Sequence, residues 1–588
     1  MAQRAEWGSK VGFILAASGS AVGLGNIWRF PFTAGDNGGG AFVVLYLICV
    51  ALVGLPIMMS EIMIGRAAQK QPVAAFHELQ GKKSRWAGVG WLGVVAGFII
   101  LSFYVVVAGW AMDYTLKSIV NFTGPIAETA RANSMAYRTS TPLNEMRLTL
   151  IDRELDRQFP NVERKIVSAV KPSTWQMWSE TKAVAEASPN EGSAWQMLSE
   201  DPERAQAITA GREVQTELDD AKAALRNEIA ADIARLTPAN VRDRAEDLER
   251  RRITRDRTKE VFDAVSGDAW ITVMWTAIFM MITMGIVLGG ISGGIERACL
   301  ILMPGLFLLI MVLVVYGMFM PGFGEAVSFV LKPDFTKMQA SSVLEAMGQS
   351  FFSLSLGMGA MITYGSYQRS KEGLAGQSIT IAGLDTGVAL LACFMIFPIA
   401  FSFGQSPEAG PGLVFMTMPL AFAEIGDAGM LLGAVFFGLL VFAAITSSIS
   451  LLEVVASYFI DELGWSRRTA VLTIGTLIFL LAIPSAVAED PVRQIPGWRE
   501  SYGMGFLDTM NFLASNWMLP LGGFFIAIYA GWFMPKRLRA AEVEGMWPVF
   551  FMGWLILVRF VAPTVVILVL LQSIGVLNAD ELLHGLFN

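Results

Sequence analysis

The sequence predicts an all-α protein that crosses the membrane many times. Of its 588 residues, 54% are hydrophobic and only 16% are charged, and the mean hydropathy is +0.51. This composition is typical of a polytopic membrane protein rather than a soluble enzyme. The apolar residues also group into eleven segments long enough to be membrane spans, several of them interrupted by glycine or proline. These segments lie near 11–34, 40–64, 86–116, 269–289, 298–321, 342–368, 376–403, 428–459, 469–488, 504–534 and 546–574.

The cysteines and histidines argue against several kinds of chemistry. Cys49, Cys299 and Cys393 all lie in apolar runs, so they are expected to be buried thiols and not a disulfide framework. The only histidines are His77 and His584, which argues against zinc binding and histidine-based catalysis. The positive charge is not gathered into a nucleic-acid-binding patch, so no nucleic-acid partner is expected.

Basic residues fall in alternate short loops, and this alternation predicts the orientation of the chain. The positive-inside rule places these loops in the cytoplasm together with the N-terminus. An odd number of spans then places the C-terminus on the outer side of the membrane. The predicted location is the cell membrane, as a multi-pass protein. The basic loop residues are Arg66, Lys70, Lys82, Lys83, Arg85, Arg297, Arg369, Lys371, Arg467, Arg468, Lys536, Arg537 and Arg539.

Residues 120–268 differ in kind from the segments on either side. They are rich in Asp, Glu, Arg and Lys, with long helical stretches, and by parity they lie outside the membrane between the third and fourth spans. We expect a solvated helical insertion, with a partner-binding module as the alternative. The chain is thus divided into spans one to three (1–119), the extracytoplasmic insertion (120–268) and spans four to eleven (269–588).

The first apolar segment is interrupted in its middle. Residues 19–26, GSAVGLGN, place three glycines and an amide where a stable helix favours leucine. Glycine costs roughly 1 kcal/mol relative to alanine inside a helix. In lipid, the freed backbone groups also lack water as a partner. Such a segment is stable only if it is buried in protein and its bare backbone groups bind something, which we interpret as an ion and a small zwitterion.

The sixth apolar segment repeats this feature. Residues 349–367, QSFFSLSLGMGAMITYGSY, are apolar but are broken by Ser353, Ser355, Gly357 and Gly359. The two broken segments are the first and the sixth, an offset of five spans, so they occupy matching positions in two five-helix halves, and an odd repeat length inverts the second half. Interrupted spans at corresponding positions indicate a transporter binding site. Ordinary packing of small residues explains one such segment, but not two in register.

Longer motifs carry a resemblance to a known family. GSAVGLGNIWRFPFTAGDNGGGAFVVLYL, followed by GLPIMMSEIMIGR, resembles the first two spans of the neurotransmitter:sodium symporter family, its bacterial amino-acid transporters in particular. The resemblance continues through FFSLSLGMGAMITYGSY, FAAITSSISLLEVVASYFIDELGWSRR and FLDTMNFLASNWMLPLGG, and covers nearly all of the chain except 120–268. It implies a five-plus-five inverted repeat with broken helices 1 and 6, and sodium-coupled transport.

The resemblance implies two sodium sites. One would use the carbonyls of Gly19 and Val22 together with Ala443, Thr446 and Ser447. The last three are spaced i, i+3 and i+4, which places them on one face of a helix. Taken alone, a Thr-Ser-Ser run in a span more often serves helix packing; beside the matched first span, we favour the ion site.

The other implied sodium site lies nearer the substrate. It would use the Ala21 carbonyl, the Asn26 amide, Ser353 and Asp385. Asp385 departs from the family pattern, because many members carry asparagine there and some depend on chloride. A carboxylate in the middle of the membrane costs about 2.5–3.5 kcal/mol on insertion scales. We therefore expect Asp385 to bind sodium and to replace chloride as the fixed negative charge; the alternative is a structural, hydrogen-bonded acid.

The substrate site can be argued group by group. The amides at the start of a half-helix, around Leu24 and Gly25, suit a carboxylate, and Tyr104 matches the family tyrosine that reaches it. Monoamine-carrying relatives have aspartate where this chain has Gly23, so the substrate should bring its own carboxylate, as an amino acid does. The remaining subsite is largely apolar, which favours a hydrophobic or aromatic side chain. The implied substrate-binding residues are Ser20, Ala21, Leu24, Gly25, Ile100, Tyr104, Phe352, Ser353, Ser355, Met358, Ser447 and Leu451.

The resemblance also implies two gates and a structural set. Arg29 matches the outer-gate arginine, but its usual aspartate partner is replaced by Asn511, with Asp508 one turn earlier, and either residue remains open as the partner. The inner gate would be an Arg–Asp pair supported by aromatic residues, with ordinary interfacial anchoring as the alternative. Its members are Arg4, Trp7, Tyr367 and Asp461. The structural residues are Glu61, which would hydrogen-bond the broken backbone, and Gly294 and Pro304, which bracket a stretch of the fifth span that can unwind.

The sequence thus predicts a sodium-coupled amino-acid symporter that works by alternating access and independently of chloride. Its partners would be an amino acid, sodium ions and the lipid bilayer. A symporter of another zwitterion, such as a betaine or a β- or γ-amino acid, and a transport-dead amino-acid sensor remain as alternatives. A membrane enzyme is disfavoured because the spans carry no Ser–His–Asp set, H-E-x-x-H motif or metal cluster.

Overall fold

A computed structural model describes residues 6–120, 123–167, 177–179, 181–182, 202–335, 338, 340–368, 373–403, 413–425, 427–490, 492–544 and 546–573. Four residues named above lie outside these ranges: Arg4, Arg369, Lys371 and His584. The chain divides into two compact units. One unit comprises Met1–Ala127 with Arg255–Asn588, and the other comprises Glu128–Thr254.

The described residues are overwhelmingly helical. The first helices are α1 (Lys10–Ala21), α2 (Gly25–Asp36), α3 (Gly40–Ala68), α4 (Pro72–Gln80) and α5 (Ala87–Ile119). Next come α6 (Thr123–Ser140), α7 (Leu143–Val167), α8 (Pro202–Ala234) and α9 (Pro238–Ser266). These are followed by α10 (Ala269–Leu288), α11 (Ile291–Met318), α12 (Phe323–Leu331), α13 (Ala340–Ser353), α14 (Ala360–Gly365), α15 (Leu374–Ser402) and α16 (Met418–Ile425). The last are α17 (Asp427–Leu463), α18 (Arg467–Ala486), α19 (Trp498–Phe533, with a turn at Gly503), α20 (Lys536–Glu542) and α21 (Pro548–Gln572).

Within the described part of the chain, nine helices are long and apolar enough to cross a membrane, or ten if α1 and α2 count as one bent span. This confirms a multi-pass, all-helical membrane protein. The sixth predicted segment consists of α13 and the six-residue α14, on either side of an interruption. The count of eleven spans and the inverted repeat remain predictions.

The membrane unit has a continuous apolar core centred on α5 and α17, which pack along each other. Local signals fix several helix starts. The Ser9 side chain accepts a hydrogen bond from the Gly12 amide at the start of α1, and Asp268 accepts from two amides at the start of α10. The three cysteines are free and buried, as expected.

The unit Glu128–Thr254 has an apolar core of its own. Met146, Leu150 and Leu155 of α7 pack with Ile229 and Ile233 of α8. Residues around these positions are mostly exposed and charged, so the helices carry one apolar stripe and a solvated face.

Candidate functional site

The first membrane span is broken, as its glycines predict. α1 ends at Ala21 and α2 begins at Gly25, with an angle of 51° between them. The break leaves carbonyl groups of the last turn of α1 without helical partners. The Ser355 hydroxyl donates to the Ser20 carbonyl at 2.7 Å, and the Ser447 hydroxyl lies 3.3 Å from the carbonyls of both Gly19 and Ser20. Two other helical regions therefore meet at this break.

The sixth span is broken as well, between α13 and α14. Three of the residues there are left-handed: Ser355 (φ +53°), Gly357 (φ +78°) and Gly359 (φ +76°). A left-handed serine is uncommon, and such strained residues cluster at functional sites. The Glu61 carboxylate accepts a hydrogen bond from the Gly357 amide at 2.7 Å. Glu61 is fully buried in α3, so it stabilises the unwound backbone from behind.

A cavity lies between the two breaks, and ten of the twelve predicted substrate-binding residues line it. Gly23 and Asn26 line it in addition, although neither was assigned to the substrate. The two predicted residues that do not line it are Leu24 and Ser353. The full lining is Ser20, Ala21, Gly23, Gly25, Asn26, Ile100, Tyr104, Phe352, Ser355, Met358, Ser447 and Leu451.

The cavity has a polar end and an apolar end. At the polar end, the Leu24 amide donates to the Tyr104 hydroxyl at 3.1 Å, and Gly23 leaves open the space beside it. A Cβ at Gly23 would lie 2.5 Å from the Ser447 hydroxyl and 2.9 Å from that of Tyr104. The apolar end is formed by Ile100, Phe352, Met358 and Leu451.

Asp385 lies beside this cavity and is fully buried. Its side chain accepts hydrogen bonds from Asn26 (2.7 Å), Ser353 (2.7 Å) and Tyr46 (3.3 Å). The Asn26 amide also donates to the Ser353 hydroxyl at 2.9 Å. All three donors are neutral, and within the described residues no Arg, Lys or His is paired with this carboxylate. Sequence reasoning missed Tyr46, because one tyrosine in an apolar span carries no signal of its own.

A second group of oxygens lies where α1 contacts α17. Ala443 and Thr446 are fully buried, and the Thr446 hydroxyl is bonded to the Ala443 carbonyl at 3.0 Å. A Cβ at Gly19 would lie 3.1 Å from the Cβ of Thr446, so the two helices touch there. Ser447 reaches the Gly19 carbonyl, as described above. The structure thus brings together four of the five predicted positions; for Val22, it shows only that the residue is buried at the break.

Arg29, the predicted outer-gate arginine, has a partner that the sequence did not suggest. The Arg29 guanidinium donates to the Ser515 hydroxyl at 3.3 Å, and Ser515 donates to the Asn511 side chain at 3.1 Å. The guanidinium also lies 5.4 Å from the centre of the Phe352 ring. Among the described residues, Arg29 therefore pairs directly with neither Asn511 nor Asp508, which lies near Arg499 and Glu489.

The helix type changes locally in α19, next to these residues. Residues Leu513–Met518 form a π-helix, whose wider turn adds a residue and rotates the positions that follow it. Ser515 lies within this turn, whereas Asp508 and Asn511 precede it.

At the opposite end of the cavity, Trp7 lies against the end of α14. Its indole N–H donates to the Tyr364 carbonyl at 3.0 Å, and its ring packs edge-on against Tyr364 and Tyr367. The Tyr367 hydroxyl donates to Glu453 at 2.7 Å, and Arg467 forms two hydrogen bonds with the same carboxylate, at 2.7 and 2.8 Å.

The Glu453–Arg467 pair was not predicted, since a single glutamate in an apolar span does not reveal its partner. Asp461 lies two turns further along α17 than Glu453 and is exposed. Arg4 lies outside the described residues, so the predicted Arg4–Asp461 pair does too.

Gly294 and Pro304 both lie in continuous helix here. Gly294 belongs to a π-helical turn at the start of α11, and Pro304 lies inside that helix. Between them, the buried Glu296 accepts hydrogen bonds from the Gly8 amide (2.6 Å) and the Ser9 hydroxyl (2.9 Å). The predicted unwinding of this stretch remains a prediction.

Two broken spans that meet around a buried cavity define a class of protein, the secondary transporters with discontinuous helices. Comparison with known proteins agrees with this class. The model of the sodium:neurotransmitter symporter family matches residues 4–141 and 243–585, so the chain belongs to that family. The internal stretch that the family model leaves unmatched, 142–242, falls within the predicted insertion.

Individual relatives extend over nearly the whole chain. The uncharacterized sodium-dependent transporter YhdH of Bacillus subtilis is 28% identical over 97% of this chain and 98% of its own. The sodium-dependent nutrient amino acid transporter 1 of Drosophila melanogaster is 23% identical over 82% of this chain and 65% of its own. The crystal structure of MhsT in complex with L-phenylalanine matches with a TM-score of 0.69 and 33% identity, covering 97% of this chain and 100% of the other. The chain is therefore a sodium-dependent transporter and not an enzyme.

Proposed function

We propose that the protein imports an amino acid, of hydrophobic or aromatic type, together with sodium. The observation that supports this proposal most strongly is the buried carboxylate of Asp385, uncompensated among the described residues. A fully buried carboxylate that is bonded only to neutral donors is unfavourable, since a charge in a medium of low dielectric needs a counter-charge. A sodium ion held by Asp385, Asn26, Ser353 and the Ala21 carbonyl supplies that charge.

Because this fixed negative charge is part of the chain, the ion site needs no chloride. A second sodium would be held by the carbonyls of Gly19, Val22 and Ala443 and by the hydroxyls of Thr446 and Ser447. These are hard oxygen donors, and the unwound carbonyls of broken helices coordinate sodium in this way.

The substrate's carboxylate fits the polar end of the cavity. The positive end of the α2 dipole lies at the start of that helix, where the Leu24 amide donates to the Tyr104 hydroxyl. Gly23 adds no negative charge, so the carboxylate of an amino acid is not repelled. The substrate's amine would meet the carbonyls of the two breaks and the hydroxyl of Ser355.

The substrate's side chain would occupy the apolar end. Ile100, Met358 and Leu451 are at most 3% exposed and offer no charge. The related MhsT was crystallised with L-phenylalanine. Both observations favour a hydrophobic or aromatic amino acid over a polar one.

Transport would proceed by alternating access. The Arg29–Ser515 contact closes one side, and Trp7 with the Tyr367–Glu453–Arg467 network closes the other. Each sodium ion moving inward down the membrane potential contributes about 2.3 kcal/mol per 100 mV. Bound sodium and substrate favour the state in which both gates can close, and so shift the population of conformations.

The test is uptake into proteoliposomes containing the purified protein. We expect concentrative uptake of radiolabelled phenylalanine, leucine or tryptophan under an inward sodium gradient, equal in chloride and in gluconate. Competition by a panel of amino acids, betaines and β- and γ-amino acids ranks the substrates. Sodium-stimulated binding without uptake would identify a sensor instead. Competition by betaines but not by amino acids would show that the substrate is a betaine.

Replacing Tyr104 by phenylalanine is expected to raise the KM for the amino acid by about 10- to 100-fold, because a hydrogen bond to a charged group contributes about 1.5–3 kcal/mol. The maximal rate should change little, since the ring keeps its packing. Tyr458→Phe, on the same kind of helix but packed against Trp91 away from the cavity, serves as the matched control. Equal KM values for the two variants would exclude a carboxylate contact by Tyr104.

A further inference from the structure

Two arginines meet at the end of α19, away from the transport cavity. Arg559 is partly buried near the middle of α21, an apolar helix that spans Pro548–Gln572. Arg539 is buried in the short helix α20, which connects α19 to that span. An arginine inside a membrane span is costly, and it usually marks a functional or paired site.

Both side chains turn towards the carboxyl end of α19. The Arg559 Nε donates to the Gly531 carbonyl at 2.7 Å, and its guanidinium lies 4.9 Å from the centre of the Trp532 ring. The Arg539 Nη1 donates to the carbonyls of Ala530 (3.0 Å) and Gly531 (2.9 Å). The two cations therefore share one carbonyl, and each retains further N–H groups.

Within the described residues, no carboxylate pairs with Arg539 or Arg559 to balance their positive charge. The nearest acid along α20, Glu542, is paired with Arg66. Burial lowers the pKa of the Arg539 guanidinium, and the neighbouring charge of Arg559 lowers it further. Among the described residues, the hydrogen-bond acceptors of these two like charges are backbone carbonyls, so a bound anion would lower their mutual repulsion.

Aromatic side chains surround the pair where α19 ends, and several of them are exposed. Trp532 and Phe560 are 53% and 55% exposed and pack edge-on against each other at 5.6 Å. Phe533, the residue after Trp532, packs against Trp86. The Phe533 carbonyl accepts a hydrogen bond from the exposed Gln80 side chain. Exposed aromatic rings beside polar groups are typical of the membrane–water interface. Trp532 and Phe560 would then lie along acyl chains, with the two guanidiniums beside a phosphate.

We propose that Arg539 and Arg559 bind the phosphate of an anionic phospholipid at the end of α19, on the side that carries the basic loops. Guanidinium groups bind phosphate through paired, charge-assisted hydrogen bonds. Basic pockets between transmembrane helices at this level bind anionic headgroups. The shared chemistry is a phosphate oxyanion, which a lipid headgroup or free phosphate can supply; the exposed rings favour the lipid.

The test uses the full-length transporter in nanodiscs. Native mass spectrometry counts the phosphatidylglycerol and phosphatidylcholine molecules retained as lipid is stripped, for the wild type and for Arg539→Gln, Arg559→Gln and Arg559→Lys. Arg537→Gln is the matched control, because Arg537 carries the same charge on the same short helix but is exposed. A parallel arm adds inorganic phosphate to lipid-depleted protein in detergent and measures thermal stability.

The wild type should retain phosphatidylglycerol in preference to phosphatidylcholine. Each glutamine substitution should weaken that retention about fivefold, the effect of one basic residue near an anionic surface. Arg559→Lys should keep part of the preference, and Arg537→Gln should keep all of it. If the wild type retains both lipids equally, the proposal is overturned, and this result does not depend on whether any variant folds. Equal loss of phosphatidylglycerol retention in all three glutamine variants would also overturn it. If inorganic phosphate stabilises the protein and neither lipid is preferred, the site binds a free anion, and the proposed lipid ligand is wrong.

Discussion

Replacing Asp385 by asparagine is expected to reduce the apparent sodium affinity of uptake about 100-fold or more. The physical reason is the arrangement of charge around this residue. Its carboxylate is fully buried and is bonded to Asn26, Ser353 and Tyr46, all of them neutral. Removing one partner of a buried ion pair costs about 3–5 kcal/mol, and each 1.4 kcal/mol is a factor of ten. The measurement is initial uptake of amino acid as a function of external sodium in proteoliposomes.

Chloride provides a second measurement on the same variant. If Asp385 supplies the fixed negative charge, wild-type uptake is the same with chloride or gluconate, whereas the residual uptake of Asp385→Asn rises when chloride is added. Glu325→Gln is the matched control, because Glu325 is an exposed carboxylate in α12, outside the site. An unchanged sodium affinity in Asp385→Asn would contradict the proposal that Asp385 binds sodium. Strong chloride dependence of the wild type would contradict the proposal that Asp385 replaces chloride.

The Gly23→Ala variant is expected to bind the amino acid about 5- to 150-fold more weakly, since overpacking a well-fitted site costs roughly 1–3 kcal/mol. The added Cβ would lie 2.5 Å from the Ser447 hydroxyl and 2.9 Å from the Tyr104 hydroxyl. That space is where the substrate's carboxylate is proposed to lie. Sodium-dependent binding of radiolabelled substrate by the purified protein measures the effect directly.

The control for this variant is Gly285→Ala, in α10. A Cβ there meets no atom within 4 Å, so the same chemical change should leave binding unaltered. Thermal unfolding of both variants shows whether weaker binding comes from the filled space at Gly23 or from unfolding of the variant. Wild-type affinity in a folded Gly23→Ala variant would show that the substrate does not use this space, and the polar end of the cavity would need another ligand.

The sequence predicted the breaks in the two spans because glycine and serine act locally. In GSAVGLGN the cost of glycine inside a helix depends only on the backbone, and α1 does end at Ala21, within that motif. The same argument applied to the sixth span, where α13 ends at Ser353 and three left-handed residues follow. Most of the predicted cavity residues lie near these breaks or on helices with recognisable motifs, which is why ten of twelve line the cavity.

Other contacts could not be predicted in this way. Tyr46 reaches Asp385 from α3, and Glu453 joins Tyr367 and Arg467 from α17; the residues around Tyr46 and Glu453 do not indicate these partners. The partner of Arg29 was predicted as Asp508 or Asn511, and the structure places Ser515 there. Ser515 lies in the π-helical turn Leu513–Met518, and no residue in that turn indicates its helix type from the sequence.

The amino-acid sequence by itself determined that the chain is a helical membrane protein with two interrupted spans, since hydropathy and glycine content act over a few neighbouring residues. Tertiary structure decided which polar groups meet: Tyr46 with Asp385, Ser515 with Arg29, Glu453 with Arg467, and Arg539 beside Arg559. These residues are far apart along the chain or lie on different helices. Their pairing depends on the rotation of each helix about its axis, which is set by packing against its neighbours and by single π-helical turns.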